Sequence, residues 1–236
     1  MRWLTLSISV PEERVFAGQA RKILAGQAPE NFPAELFHYR EDGLPVKGLA
    51  KIRFGARKGQ VLIYAIGGPA SALLRAEAMN VLALYEGHYG ETLTMQITGG
   101  VFQKSVKPKL RPYRIPALIL QQDPAQYKRI KADLDQPDCP AATELAAQKI
   151  RDGLIRQFED IGFYLEDYEF SVSRVKIEGY EDGSKFVPVE IKPGVFGLCA
   201  KNVTFLSDLE LNGPWHVGHL TARGYGLVLK GKNRGE

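Results

Sequence analysis

Two histidines and an arginine stand within a run of glycines near the end of the chain: Gly213-Pro214-Trp215-His216-Val217-Gly218-His219-Leu220-Thr221-Ala222-Arg223-Gly224-Tyr225-Gly226. Four glycines in fourteen residues let the backbone bend where a Cβ would forbid it and let it approach another backbone closely. No acid occurs from Leu211 to Gly235. Exposed amides with uncompensated positive charge suit a phosphate chain, and an imidazole can serve as proton donor or acceptor near neutral pH. The same residues also describe a plain glycine-rich turn feeding a last strand. The loop alone does not choose between these readings.

The elements that must position such a loop can be read from hydrophobic spacing. Trp3 to Val10 alternates apolar and small polar residues, which marks a strand with Leu4, Leu6, Ile8 and Val10 on its buried face. Pro11 ends it, Glu12 and Glu13 favour a helix start, and Val15, Phe16, Ala20, Ile23 and Leu24 fall near helical spacing up to Gly26. Lys51 to Phe54 and Gln60 to Ile66 read as two strands joined through Gly55 to Gly59. Ala70 to Tyr85 reads as one helix, and Thr92 to Thr98 as a fourth strand. Strand, helix, strand, strand, helix, strand is the split β-α-β unit of ferredoxin-like domains. That topology also carries the RNA-recognition module, but its aromatic signature is missing here.

Gly99 to Pro116 reads as a basic connector. Beyond it come a strand at Ala117–Leu120, a helical piece from Asp123 to about Leu134, and a strong helix from Ala141 to Ile161. Strands follow at 163–177, 186–191 (these two turned through Glu181-Asp182-Gly183), 195–206 and 227–229. The expected fold is therefore α+β: two ferredoxin-like βαββαβ halves with a C-terminal glycine-rich loop, the second half distorted, its second helix shortened or replaced. The expected boundaries are 1–98, a connector over 99–116, and 117–236.

The 236 residues are 44% hydrophobic and 25% charged, with a formal net charge of +4, which is ordinary globular composition. The placement of charge says more than its sum. From Gly43 to Ala76 there are only bases (Lys47, Lys51, Arg53, Arg57, Lys58 and Arg75), and from Gly99 to Gln122 Lys104, Lys107, Lys109, Arg111 and Arg114 stand without an acid. Arg223, Lys230, Lys232 and Arg234 add to them, while Glu159, Asp160, Glu166, Asp167 and Glu169 form an acidic patch. Such segregation fits a basic face for a polyanion; scattered solvated lysines are the bland alternative. Cys139 and Cys199 are too few and too far apart for a disulfide framework or a zinc site, and Cys199 reads as a small buried residue. No carboxylate and histidine cluster has metal-ligand spacing, so neither metal nor cofactor is expected. No stretch approaches a membrane span and no signal-peptide core opens the chain, so a cytoplasmic location without membrane contact is expected.

The chain resembles the CRISPR RNA-processing endonucleases of the RAMP superfamily, and most of all the variant attached to type IV systems. Gly218-His219-Leu220-Thr221-Ala222-Arg223-Gly224-Tyr225-Gly226 carries the motif-level likeness, and the element order extends it over nearly the whole chain. The resemblance implies cleavage of CRISPR repeat RNA at a stem-loop by attack of the ribose 2′-OH without metal, and retention of the product in an effector complex with other subunits. By position after the first helix, Phe37-His38-Tyr39-Arg40 matches the family's histidine, so His38 is the expected acid or base, with Tyr39 and Arg40 orienting or stabilising the phosphate. Arg21 and Lys22 on the first helix, with Arg223, form a second candidate set, since some variants rely on basic residues. Lys104, Lys107, Lys109, Arg111, Arg114, Lys22, His216, His219 and Arg223 are the expected RNA contacts, with Tyr113 as a stacking surface between two arginines; each of the two loop histidines reads as orienting the backbone or touching RNA rather than as the catalytic acid. Lys149, Arg151 and Arg156 read either as another basic face or as a solvated helix side. His88, at a helix end, is explained by the helix dipole. Trp215 reads as core. Two other functions stay open: a non-catalytic RAMP subunit that holds crRNA, and a protein-interaction domain whose bases serve solubility.

Overall fold

A computed structural model describes the chain except residues 12–15, 41–45, 47, 122–127, 129, 131–137, 164–169, 180–182, 193 and 232–236. Glu12, Glu13, Val15, Lys47, most of the helical piece from Asp123, Glu166, Asp167, Glu169, Glu181, Asp182, Lys232 and Arg234 thus lie outside the described residues. The chain forms two compact units, Met1–Phe102 with Thr221–Gly224, and Gln103–Leu220 with Tyr225–Glu236.

Unit 1 contains β1 (Arg2–Ser9), α1 (Ala17–Gln27), a 3-10 turn (Ala34–Phe37), β2 (Ile52–Arg57), β3 (Gln60–Ile66), α2 (Gly68–Ala76), α3 (Ala78–Tyr89) and β4 (Met95–Val101). The sheet runs β2-β3-β1-β4 with every pair antiparallel, which is the ferredoxin-like order. Alternation in β1 puts Leu4, Leu6 and Ile8 on the same buried face as Val61, Ile63 and Ala65 of β3 and Phe54 of β2. Ala20, Ile23 and Leu24 of α1 and Val81, Leu82 and Tyr85 of α3 cover that face. Tyr85 is fully buried, and its hydroxyl donates to the Ala20 carbonyl at 2.7 Å, which ties α3 to α1 and removes the cost of an unmade bond. The single helix expected over Ala70–Tyr85 is two helices joined at Glu77 (φ −88°, ψ 0°). Leu74, Ala78, Val81, Leu82 and Tyr85 keep helical spacing across that joint, so the sequence pattern shows no break.

Unit 2 contains β5 (Gln103–Gln121), α4 (Pro140–Asp160), β6 (Val172–Ile177), β7 (Phe186–Lys192), β8 (Val195–Asn212) and β9 (Leu229–Lys230). Its sheet runs β6-β8-β5-β9, with β7 added as a hairpin partner of β8. If β5, β6, β8 and β9 are matched in turn to β1 to β4, the two sheets have the same order. Where unit 1 has α2 and α3, unit 2 has the glycine-rich stretch between β8 and β9, so the second helix of this half is replaced by a loop.

The expected connector over Gly99–Pro116 is instead strand, the end of β4 and most of β5. Prolines at 108, 112 and 116 give the ladder no donor. β9 pairs with β5 at Tyr113 and Arg114, and beside it the Gly231 N–H donates to the Pro112 carbonyl and the Gly226 N–H to the Ala117 carbonyl, each at 2.8 Å, so Pro112 enters the sheet as an acceptor, which proline can still supply. Between Val106↔Leu209 and Arg111↔Ser207 the register shifts, and Lys107-Pro108-Lys109-Leu110 leaves the ladder as a bulge. The strand expected to end at Leu206 runs on to Asn212, and the last strand is Leu229–Lys230 rather than 227–229.

Candidate active site

In unit 1, the candidate residues gather along β2, the edge strand. The 3-10 turn Ala34–Phe37 ends on His38, which takes the left-handed conformation (φ 65°, ψ 35°). Its N–H donates to the Glu35 carbonyl and the Tyr39 N–H to the Ala34 carbonyl, each at 3.1 Å. An L residue in this region costs about 1–2 kcal/mol, and such strain persists only where the surroundings fix it. Here Arg21 of α1 fixes it. Its Nη2 donates to the Phe37 carbonyl at 3.0 Å, and its guanidinium lies 5.8 Å from the Phe37 ring centroid and 5.9 Å from that of Tyr39. The Phe37 ring stacks on Phe54 of β2 at 6.5 Å. Arg53, fully buried on β2, donates through Nε to the Ala50 carbonyl at 2.7 Å.

The His38 imidazole is half-buried, and that burial first, then the charges of Arg53 and Arg21, hold its pKa below the ordinary 6.5. It is therefore neutral at neutral pH, the form that accepts a proton. Tyr39 and Arg40 follow it on the exposed side, and Lys22 is exposed on α1.

Thr221–Arg223 forms a second 3-10 turn that packs on β2 and α1. Gly224 closes it with its N–H on the Thr221 carbonyl at 3.0 Å. At φ 87° a Cβ on Gly224 would stand 2.1 Å from the Ala17 Cβ and 2.6 Å from the Phe54 oxygen, so only glycine allows the turn to reach α1 and β2. Arg223, half-exposed, is carried on this turn. Of the expected catalytic set, Arg21, His38 and Tyr39 are brought into contact, and the turn bearing Arg223 shares their strand. Arg53 was missed as a site residue; the signal was a cation set between two apolar residues, Ile52 and Phe54.

In unit 2, Gln157 of α4 organises the glycine-rich stretch: its Oε1 accepts from the His216 N–H at 2.8 Å. His216 is 2% exposed, with Nδ1 3.1 Å from the Pro214 carbonyl, an arrangement in which Nδ1–H donates. Of the two readings of His216, backbone-orienting or RNA-contacting, this geometry fits the first, since the buried ring shapes its own loop. Trp215 is core, edge-on to Phe158 at 5.2 Å. Gly226 (φ 76°) passes so close to Val217 that a Cβ would stand 1.7 Å from its carbonyl oxygen. His219 differs from His216: its Nε2 lies 3.4 Å from the Lys149 ammonium of α4. Burial, then Lys149 and Arg156, lower its pKa, so His219 is neutral with Nε2 accepting and two cations beside it. The basic side of α4 weighed against a solvated face therefore meets the loop at Lys149.

The cations of β5 divide. Lys107, Lys109 and Arg114 are exposed. Arg111 pairs with Glu210 at 3.5 Å. Lys104 sets its ammonium 4.6 Å from the Phe158 ring centroid and 5.4 Å from that of Phe163, and burial lowers its pKa; it braces α4 rather than facing outward. Tyr113, expected as a stacking surface, is buried, and its hydroxyl donates to the Leu209 carbonyl at 2.7 Å. Among the described residues no three His, Cys, Asp or Glu gather as a metal ion would need, and no helix is long and apolar enough to cross a membrane. Both cysteines are buried, and burial pushes the Cys199 thiol up to about 12.

The family model for the type IV CRISPR-associated endonuclease Csf5 matches residues 1–233. The chain belongs to this family. Its fold is that of solved relatives. A structure titled as Csf5, the type IV Cas6 crRNA endonuclease, superposes with a TM-score of 0.72 at 16% identity over 98% of this chain and all of that one. A Cas6b crystal structure gives 0.64 at 16% identity with the same coverage, and a CRISPR RNA processing endoribonuclease Cas6b gives 0.58 at 15%. No curated protein matches the chain in sequence. Membership in the Csf5 family makes this a type IV CRISPR-associated endonuclease of the Cas6 group.

Proposed function

We propose that the chain cuts CRISPR repeat RNA at a stem-loop without a metal and keeps the product for an effector complex. The observation that carries this reading is the neutral imidazole of His38, on a turn that Arg21 holds, with the turn of Arg223 packed on the same helix α1. In the proposed step His38 takes the proton of the ribose 2′-OH. That oxygen attacks the adjacent phosphorus, and the 5′-oxygen leaves and takes a proton from solvent or a nearby acid. The products are a 2′,3′-cyclic phosphate and a 5′-hydroxyl. Arg21, Arg40 and Arg223 offset the charge that grows on the phosphate, and the Tyr39 hydroxyl orients it. His219 with Lys149, and the exposed Lys22, Lys107, Lys109 and Arg114, hold the RNA through its backbone.

A hairpin repeat RNA incubated with excess EDTA tests the reaction class. The expected products end in a cyclic phosphate, and RNA with a 2′-deoxy nucleotide at the cut site stays whole. Cutting of the deoxy RNA, or its loss in EDTA, refutes the internal-nucleophile reading. Tight binding with no cutting would make the chain a structural subunit instead. Product retention predicts that the cleaved stem elutes with the protein in gel filtration.

A further inference from the structure

A groove of about 820 Å³ crosses the sheet of unit 2. Arg114 of β5, Arg174 and Lys176 of β6 and Lys230 of β9 line it, with Glu178, Asn202 and Thr204 between them. The single carboxylate is already engaged: Glu178 accepts from the Asn202 amide at 3.2 Å and from the Thr204 hydroxyl at 3.3 Å. Lys230 donates to the neutral Asn212 Oδ1 at 3.0 Å and keeps its charge. Among the described residues, Arg114, Arg174 and Lys176 have no ion pair with a carboxylate, so the groove carries four cations against one carboxylate and is net positive.

Two further observations narrow the ligand. Tyr113 and Phe205 are among the lining residues, yet they are buried (2% and 1% exposed) and stacked on each other at 5.4 Å, so no aromatic face is offered to a base. Contacts would fall on phosphate and sugar, for which guanidinium forks, an amide and a hydroxyl are suited. The volume is that of a small-ligand site, fit for a short extended segment and not for a duplex. Arg174 also stands at φ 49° where the β6–β8 register shifts between Ser173 and Lys176, a strained bulge that keeps a cation in the groove.

We propose that this groove holds the sugar-phosphate backbone of an unpaired RNA segment flanking the stem, an inference that rests on the RNA-processing reading above. The repeat would then be held at two places, its stem by His219, Lys149, Lys22, Lys107 and Lys109, and its flank by Arg114, Arg174, Lys176 and Lys230.

The test compares a bare hairpin with the same hairpin carrying a single-stranded extension, by fluorescence anisotropy across a KCl series. For the wild type the extension should tighten binding and steepen the log–log salt slope by about 1.4, the value for two phosphates of a single strand. In Arg174→Asn/Lys176→Gln the difference between the two RNAs should vanish; asparagine is chosen because it tolerates the left-handed backbone. Arg114→Gln, on a different strand, should reduce the difference by about half, and thermal unfolding reports whether either variant is misfolded. A full difference retained in folded variants, or no difference in the wild type, overturns the proposal. If the wild type binds neither RNA, the processing reading falls first and this one with it. Poly-glutamate binding that the variants lose, with the RNA difference intact, would assign the groove to an acidic protein partner.

Discussion

Arg21 Nη2 donates to the Phe37 carbonyl oxygen at 3.0 Å, and through that bond α1 holds the turn that ends in His38. The same guanidinium lies over the rings on either side of the histidine, and its charge lowers the histidine's pKa. One side chain thus fixes the position of the candidate base and adds, after burial and Arg53, to what keeps it neutral.

Arg21→Ala should therefore do three things at once. Loss of the charged donor should cost about 1.5 kcal/mol in chemical denaturation. The His38 titration, followed by NMR, should move up toward 6.5, because one of the charges lowering it is gone. Cleavage should fall at least tenfold. Arg21→Lys keeps the charge without the fork, so it should hold the titration near the wild-type value while losing part of the stability.

The left-handed backbone at His38 makes a second prediction, about shape rather than charge. His38→Asn should unfold within about 1 kcal/mol of the wild type, since asparagine tolerates this region, whereas His38→Val should be less stable than His38→Asn by about 1–2 kcal/mol. Equal urea midpoints for the two variants would show that the turn relaxes and stores no strain.

Much of this architecture is legible in the sequence, and the exceptions have physical causes. The alternation of Leu4, Leu6 and Ile8 marks β1 because one face of that strand meets α1 and α3. The glycine stretch stands out as a loop, and Gly224 and Gly226 are glycines because backbone or Cβ atoms lie within 3 Å of where a side chain would begin. The strand β5 is hidden because prolines are rare inside strands, whereas Pro112 joins this sheet through its carbonyl, which accepts from the Gly231 N–H. His216 and His219 look alike as letters three residues apart; only the carbonyl of Pro214 and the ammonium of Lys149 separate a buried loop brace from a neutral, cation-flanked ring. Arg53 gives little sign, since its role comes from proximity to His38 across the fold.

Acid should destabilise the protein through two histidines. His38 and His219 both have folded-state pKa values below 6.5. Above pH 6.5 neither state of these groups binds a proton and they contribute nothing. As pH falls below 6.5 the unfolded chain takes up protons first, so stability declines until pH passes the folded values. The urea midpoint should drop between pH 7.5 and 5.5, and His38→Ala/His219→Ala should flatten that drop. An unchanged slope in the double variant would place the acid sensitivity elsewhere.

Glycine substitutions should separate the turn from the helix. Gly224→Ala would put a methyl against Ala17 and the Phe54 carbonyl, so it should shift the Arg223 turn and lower cleavage by about tenfold or more, with a loss of stability of about 1–3 kcal/mol. Gly18→Ala, on α1 with open space around the new methyl, should raise stability by about 0.5 kcal/mol. Calorimetry and single-turnover cleavage of both variants check this contrast.

The central claim is that neutral His38 is the base of a metal-independent ribonuclease. The most direct measurement is single-turnover cleavage of a hairpin repeat RNA in EDTA from pH 5 to 8, comparing the wild type with His38→Ala and Arg223→Ala. The wild-type rate should rise with pH to a plateau, with an apparent pKa below 6.5. His38→Ala should lose about 10²–10⁴-fold, together with the acid limb. Arg223→Ala should be slower at every pH while keeping the wild-type profile. If His38→Ala cuts at the wild-type rate with the wild-type profile, and only Arg223→Ala fails, the chemistry belongs to the arginines and the claim is wrong.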